Sequence, residues 1–89
     1  MRESALEAKI KAKIQKKGGL CLKWVSPGFS GVPDRIALLP EGKILFIEVK
    51  RPGLSEGRST RQKRVASQLK NLGFEVIRVS DIGDLDEYI

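Results

Sequence analysis

Histidine is absent from the 89 residues, and cysteine occurs once. A lone thiol, Cys21, excludes an internal disulfide framework, and without histidine a zinc centre of the usual Cys/His kind has no ligands. Cys21 stands in the apolar run LCLKWV, the setting of a buried, inert thiol rather than a nucleophile. Three Phe, one Trp and one Tyr are too few for the aromatic surface of a typical single-strand binder. No apolar run is long enough to span a bilayer, and the first residues lack a signal-peptide pattern, so an intracellular protein without a membrane partner is expected.

What is present reads as one small globular domain, residues 1–89, near the lower size limit for a single unaided core. Hydrophobic residues at 40% and charged residues at 31% are ordinary for such a domain. The net charge of +6 favours a polyanionic partner, nucleic acid before an anionic membrane, although a merely soluble basic protein carries the same charge.

Periodicity places the elements. Leu6, Ile10 and Ile14 recur at four-residue spacing, predicting a helix over 4–17 that Gly18 and Gly19 stop. LCLKWV (20–25), DRIALL (34–39) and KILFIEVK (43–50) read as strands, the last two joined by the turn residues Pro40, Glu41 and Gly42. SPGFSGVP is a loop ahead of Asp34, and RPGLSEGRS is a second, basic loop. TRQKRVASQLKNL predicts a second helix with Val65, Leu69 and Leu72 on one face and Gly73 as its stop. FEVIRV is a fourth strand and DLDEYI a short terminal helix. The order α-β-β-β-α-β-α is a single mixed α/β layer fold.

One hairpin concentrates the chemistry. A three-residue loop at Pro40, Glu41 and Gly42 pairs Leu39 with Lys43, and the same register sets Asp34 opposite Glu48, with side chains ~5 Å apart on one face. Lys50 shares that face because strand side chains alternate. Two carboxylates so close repel each other unless a cation intervenes, and a hard ion such as Mg²⁺ or Mn²⁺ suits oxygen ligands. The backbone carbonyl of Val49 is a further candidate ligand. Such an ion polarises a phosphate oxygen and lowers the pKa of a bound water, while Lys50 can orient that water and offset developing charge. The plainer reading, a solvated Glu48–Lys50 ion pair, sits poorly with Ile44, Phe46 and Ile47, which imply a buried strand.

These residues also carry a resemblance. GVPD followed by EVK resembles the PD-(D/E)xK nuclease signature. More narrowly, SPGFSGVPDRIALLP, FIEVKRPG and RQKRVASQLKNLGFEV are similar to the small stand-alone VRR-NUC domains of phages and bacteria, over nearly the whole chain. The general signature is weak by itself; the combined stretches are specific. The resemblance implies a PD-(D/E)xK nuclease-like mixed β-sheet flanked by helices. It also implies a metal-dependent endonuclease acting on DNA, similar to Holliday-junction resolvases, often homodimeric and leaving a 5′-phosphate. The expected setting is the cytoplasm of a bacterial cell or a phage-infected host.

Carried over by position, Asp34 matches the motif's first acid, Glu48 the second and Lys50 its lysine, while Glu7 matches a first-helix glutamate of the family's site. SALE is equally a capping box in which Glu7 binds the Ser4 backbone, and Glu3 on the same face is the fallback. Gln62 corresponds to a family glutamine and falls on the apolar stripe of the second helix, but STRQ is also a capping box headed by Ser59. Arg51, Arg58, Arg61, Lys63 and Arg64 form the candidate phosphate-backbone surface, some of them ordinary solvated charge. The glycines of SPGFSG either admit a DNA backbone closely or only form a tight loop.

Three functions follow. The first is a junction-selective endonuclease with catalytic Asp34, Glu48, Lys50, Glu7 and Gln62 and one or two metal ions, or a related nuclease of flaps or duplex. The second is a non-catalytic nucleic-acid-binding module. The third is a structural domain in which the acids and lysine form a buried ion network.

Overall fold

The computed structural model describes residues 3–50 and 60–89, and of Glu3 the backbone only. Helix α1 (Glu3–Lys16) precedes strand β1 (Leu20–Lys23), β2 (Arg35–Leu39), a 3-10 turn (Pro40–Gly42) and β3 (Lys43–Val49). Helix α2 (Thr60–Asn71), β4 (Glu75–Val79) and a 3-10 turn (Ile82–Leu85) follow. The terminal helix expected over 84–89 is therefore a short 3-10 turn lying two residues earlier, capped by Asp81 and anchored by the buried Leu85.

The four strands form one sheet in the order β1-β2-β3-β4. β1, β2 and β3 pair antiparallel through short connections, whereas β3 and β4 run parallel and need the crossover that contains α2. Both helices stop as their glycines imply. Gly18 N–H donates to Gln15 C=O (2.9 Å) and Gly19 N–H to Ile14 C=O (3.0 Å). Gly73 N–H and Phe74 N–H repeat the pattern on Lys70 and Leu69.

Strand alternation divides the side chains between two unequal layers. On the α1 side, Leu6, Ile10 and Ile14 pack with Cys21, Ala37, Leu45, Ile47, Val49, Ile77, Val79 and Leu85. On the α2 side, Phe46, Ala66 and Val76 form a smaller cluster, with Trp24, Ile36, Ile44 and Leu69 against it. Leu20, Leu22 and Leu38 are exposed. They pair in register with Leu38, Ile36 and Leu20 and so belong to the α2 layer, at the β1–β2 end. Leu72, expected on the buried stripe of α2, lies just past the helix end and is 73% exposed. Among the described residues no helix is long and apolar enough to cross a membrane.

The α1 layer carries most of the buried area and should dominate stability. Ile47, wholly buried in the central strand β3, sits in its middle. Ile47→Ala should destabilise the fold by about 2–5 kcal/mol, read as a lower denaturant midpoint at unchanged m-value.

Candidate active site

The β2–β3 hairpin has the register that its turn implies. Leu39 faces Lys43, and the ladder runs to Arg35 opposite Ile47. Asp34 stands one residue before β2, and extending the same register by one step would set it opposite Glu48. Asp34 is tied from both neighbours. Its carbonyl accepts the Trp24 N–H at 3.0 Å from the β1 side, and its Oδ2 accepts the Val49 N–H at 2.7 Å from β3. Those two bonds hold the carboxylate at the strand end although Asp34 itself lies outside the ladder.

Glu48 is only 3% exposed. Phe46, two residues earlier, belongs to the α2 cluster, while Ile47 and Val49 belong to the α1 cluster. Alternation therefore puts Glu48 on the α2 side. Lys50, half-buried, extends β3 by donating its N–H to Val79 C=O at 2.8 Å, so it follows Glu48 on the same face. Gln62 occupies the first turn of α2, four residues before the buried Ala66, and so on the face that α2 turns to the sheet.

Glu7 goes elsewhere. Its Oε1 accepts from Arg35 Nε at 2.7 Å, with 22% and 19% of the two side chains exposed. α1 includes Glu3 and Ser4, so Ser4 lies inside the first turn rather than at its cap, and the Glu7 carboxylate is held by Arg35. Arg35 precedes Ile36 of the α2 layer, and by alternation it points to the α1 side, away from Glu48. Glu7 and Glu48 thus approach the strand end from opposite layers. Among the described residues no three acidic or thiol groups converge as a ready-made metal cluster. Arg35 was not singled out by the motif; the signal available was its place beside Asp34, where alternation turns it towards α1.

The electrostatics centre on Asp34. Burial pushes its carboxyl above the ordinary value, the Val49 N–H opposes that rise, the nearby Glu7 charge adds to it, and Arg35 and Lys23 oppose it. Burial is the largest influence and disfavours the ionised form of this carboxyl. A hard cation would favour that form, and Mg²⁺ is commonly bound through one or two carboxylates plus substrate phosphate rather than by a full protein cage. The pair of hard oxygen donors Asp34 and Glu48 fits that demand without a third acid. Cys21 is a buried free thiol whose pKa burial raises, in keeping with an inert group.

Among the basic positions, Arg51 and Arg58 lie outside the described residues, as does Ser59. Arg61, Lys63 and Arg64 are exposed on the first turns of α2. Arg61 Nη1 donates to Ser30 Oγ at 2.6 Å, which leaves its other donors for a further partner. The same junction explains Gly31. Its φ is +90°, and a Cβ there would lie 2.9 Å from the Arg61 carbonyl carbon and oxygen. The loop before Asp34 is thereby docked on the start of α2.

No family model matches the chain. A protein named "Putative nuclease p44", from Acyrthosiphon pisum secondary endosymbiont phage 1, is 43% identical over 89 residues, covering 100% of this chain and 92% of that protein. A solved structure described as a VRR_NUC domain superposes with a TM-score of 0.85 at 29% identity, covering 97% of this chain and 95% of that one.

The raised Asp34 pKa has a definite sign in stability. The native state holds this proton more tightly than the unfolded chain, so stability falls as pH rises from the ordinary carboxylate range through the raised native value. Above that window the loss is complete and constant. Asp34→Asn removes the charge and keeps an oxygen to accept the Val49 N–H. In EDTA its denaturant midpoint should exceed that of the wild type at pH 7, with the advantage shrinking towards acid. A lower midpoint at pH 7 would instead indicate a structural ion network.

Proposed function

Because the chain belongs to the VRR-NUC nuclease family, we propose that it is a metal-dependent endonuclease that hydrolyses DNA phosphodiester bonds, selectively at branched structures such as four-way junctions, as a homodimer. The observation that carries this reading is Asp34 Oδ2 bonded to the Val49 N–H at the end of β3, beside the buried Glu48, with Lys50 following Glu48 on the same face. A buried carboxylate is an oxygen donor of the kind that a hard divalent cation takes, and Asp34 supplies a second at the same strand end.

In this reading Asp34 and Glu48 would hold Mg²⁺ or Mn²⁺, which would supply Lewis-acid polarisation of a phosphate oxygen. The Val49 carbonyl is a further proposed ligand. Lys50 places an ammonium where negative charge grows on the phosphate and can hold the attacking water in line. The water oxygen forms the new bond to phosphorus, the P–O3′ bond breaks, and a 5′-phosphate and a 3′-hydroxyl result. Gln62, on the sheet-facing side of α2, is placed to orient water or phosphate by an amide hydrogen bond. Glu7 joins the acidic set only by exchanging Arg35, so we assign it first to positioning the strand end. Arg61, Lys63 and Arg64, with Arg51 and Arg58, contact phosphates and anchor the substrate.

Two symmetric cuts across a junction call for two sites, which a C₂ dimer supplies. We place the reaction in the cytoplasm of a bacterium or a phage-infected host, the setting in which a phage-type nuclease meets branched DNA.

The test is cleavage of a labelled four-way junction beside matched duplex and single strand, with Mg²⁺, Mn²⁺ or EDTA. Paired nicks confined to the junction and abolished by EDTA are expected, and Asp34→Ala or Glu48→Ala should lower the rate at least about 100-fold. Equal cutting of every substrate removes the junction selectivity. Binding without cutting under any metal makes the chain a non-catalytic module.

A further inference from the structure

On the α2 side, next to the candidate active site, lies an open cavity of about 490 Å³, a volume typical of ligand sites. Trp24 and Phe29 form part of its wall, Leu69 and Leu72 another part, and Gln68 and Asn71 contribute amides. We propose that this cavity receives one unpaired or unstacked nucleobase of the DNA substrate, and that it is a source of selectivity for branched over fully paired DNA. The inference rests on the nuclease reading above and extends it to a base-binding subsite.

The chemistry of the lining points to a flat aromatic ligand with polar edges. Trp24 and Phe29 provide the faces on which a base stacks, and base–aromatic stacking is indifferent to sequence. Trp24 is backed by Phe46, with ring centroids 5.1 Å apart, and Phe46 in turn meets Phe74 edge-on at 5.3 Å. The indole is therefore supported as a platform. The Gln68 and Asn71 amides can both donate and accept, as the edge of a base requires.

Location and charge favour a base over another apolar guest. Trp24 is the residue whose N–H binds the Asp34 carbonyl, so the cavity begins one strand away from the first acid. Phe29 sits on the loop that Gly31 and Ser30 dock against Arg61. Arg61, Lys63 and Arg64 stand exposed on the same helix that supplies Gln68 and Asn71. A DNA backbone bound by those cations would pass the cavity mouth. A paired duplex keeps its bases stacked inside and cannot fill the cavity, whereas a junction, bulge or frayed branch can offer a base at little cost.

The chain has one tryptophan, so its emission reports this cavity directly. The wild-type protein, in EDTA to prevent cutting, is titrated with a duplex carrying one unpaired adenine and with the same duplex fully paired. Anisotropy of labelled DNA measures binding in parallel. Saturable quenching of Trp24 by the bulged duplex, and little by the paired duplex at equal occupancy, is expected. Phe29 is 52% exposed, so Phe29→Ala should leave the melting temperature and paired-duplex affinity unchanged. It should weaken bulged-duplex binding about 5- to 150-fold. Equal quenching by both DNAs or by inorganic polyphosphate, or equal weakening of both by Phe29→Ala, overturns the subsite while leaving the nuclease reading intact. So does bound bulged DNA with no quenching. A concentration-dependent change in Trp24 emission without DNA assigns the cavity to a second copy of the chain. Failure to bind either DNA overturns the subsite, and the nuclease reading then rests on the cleavage assay alone.

Discussion

The register of the β2–β3 hairpin is the constraint on which the rest depends. Pro40, Glu41 and Gly42 turn the chain so that Leu39 meets Lys43, and every later pair follows. Glu41 adopts φ +67° and Gly42 φ +76°, left-handed backbone that the turn needs and glycine supplies at the second position. A turn one residue shorter or longer would move the pairing by one position and separate Asp34 from Glu48. The same shift would send Phe46 into the α1 layer and Ile47 out of it. The core and the site are thus set by one turn, and neither can change register without the other.

The sheet then sorts charge as well as apolar groups. Glu48 and Lys50 emerge with Phe46 on the α2 side, while Glu7 and Arg35 pair on the α1 side. Asp34 sits between, at the strand end, tied to Trp24 and Val49 by hydrogen bonds and sensing the Glu7 charge. An ion pair with Arg35 holds the outer acid, Glu7. The α2 layer is also the thinner one, and it keeps both an acidic strand end and an open aromatic cavity because α2 leaves the β1–β2 end bare. The candidate site thus lies where packing is lightest, as is common when a scaffold carries a site.

Much of this was legible beforehand. The Leu6–Ile10–Ile14 stripe, the glycine stops and the turn residues are local signals, and each produced its element within a residue or two. Local signals failed where the outcome was decided elsewhere. Leu72 continues the periodicity of α2, yet the Gly73 stop ends the helix at Asn71 and leaves it exposed. DLDEYI has helical character, but the capping pair Asp81 and Asp84 closes a 3-10 turn earlier. Glu7 is held by Arg35, 28 residues away, a partner that neither the capping-box pattern nor the motif announces.

By itself the amino-acid sequence determined the order of the elements, the register of the β2–β3 hairpin and the family that these residues resemble. The elements and the register follow from alternation, turn length and spacing along the chain, which are properties of neighbours, while the family is a resemblance carried by whole stretches of sequence. Only the tertiary structure decided that Glu7 faces Arg35 across the other layer, that Gly31 lies against the Arg61 backbone, and that Trp24 and Phe29 wall a cavity with residues of α2. Those outcomes depend on how β1, β2 and the two helices pack in space. No local spacing encodes contacts between segments that meet only when the sheet has formed.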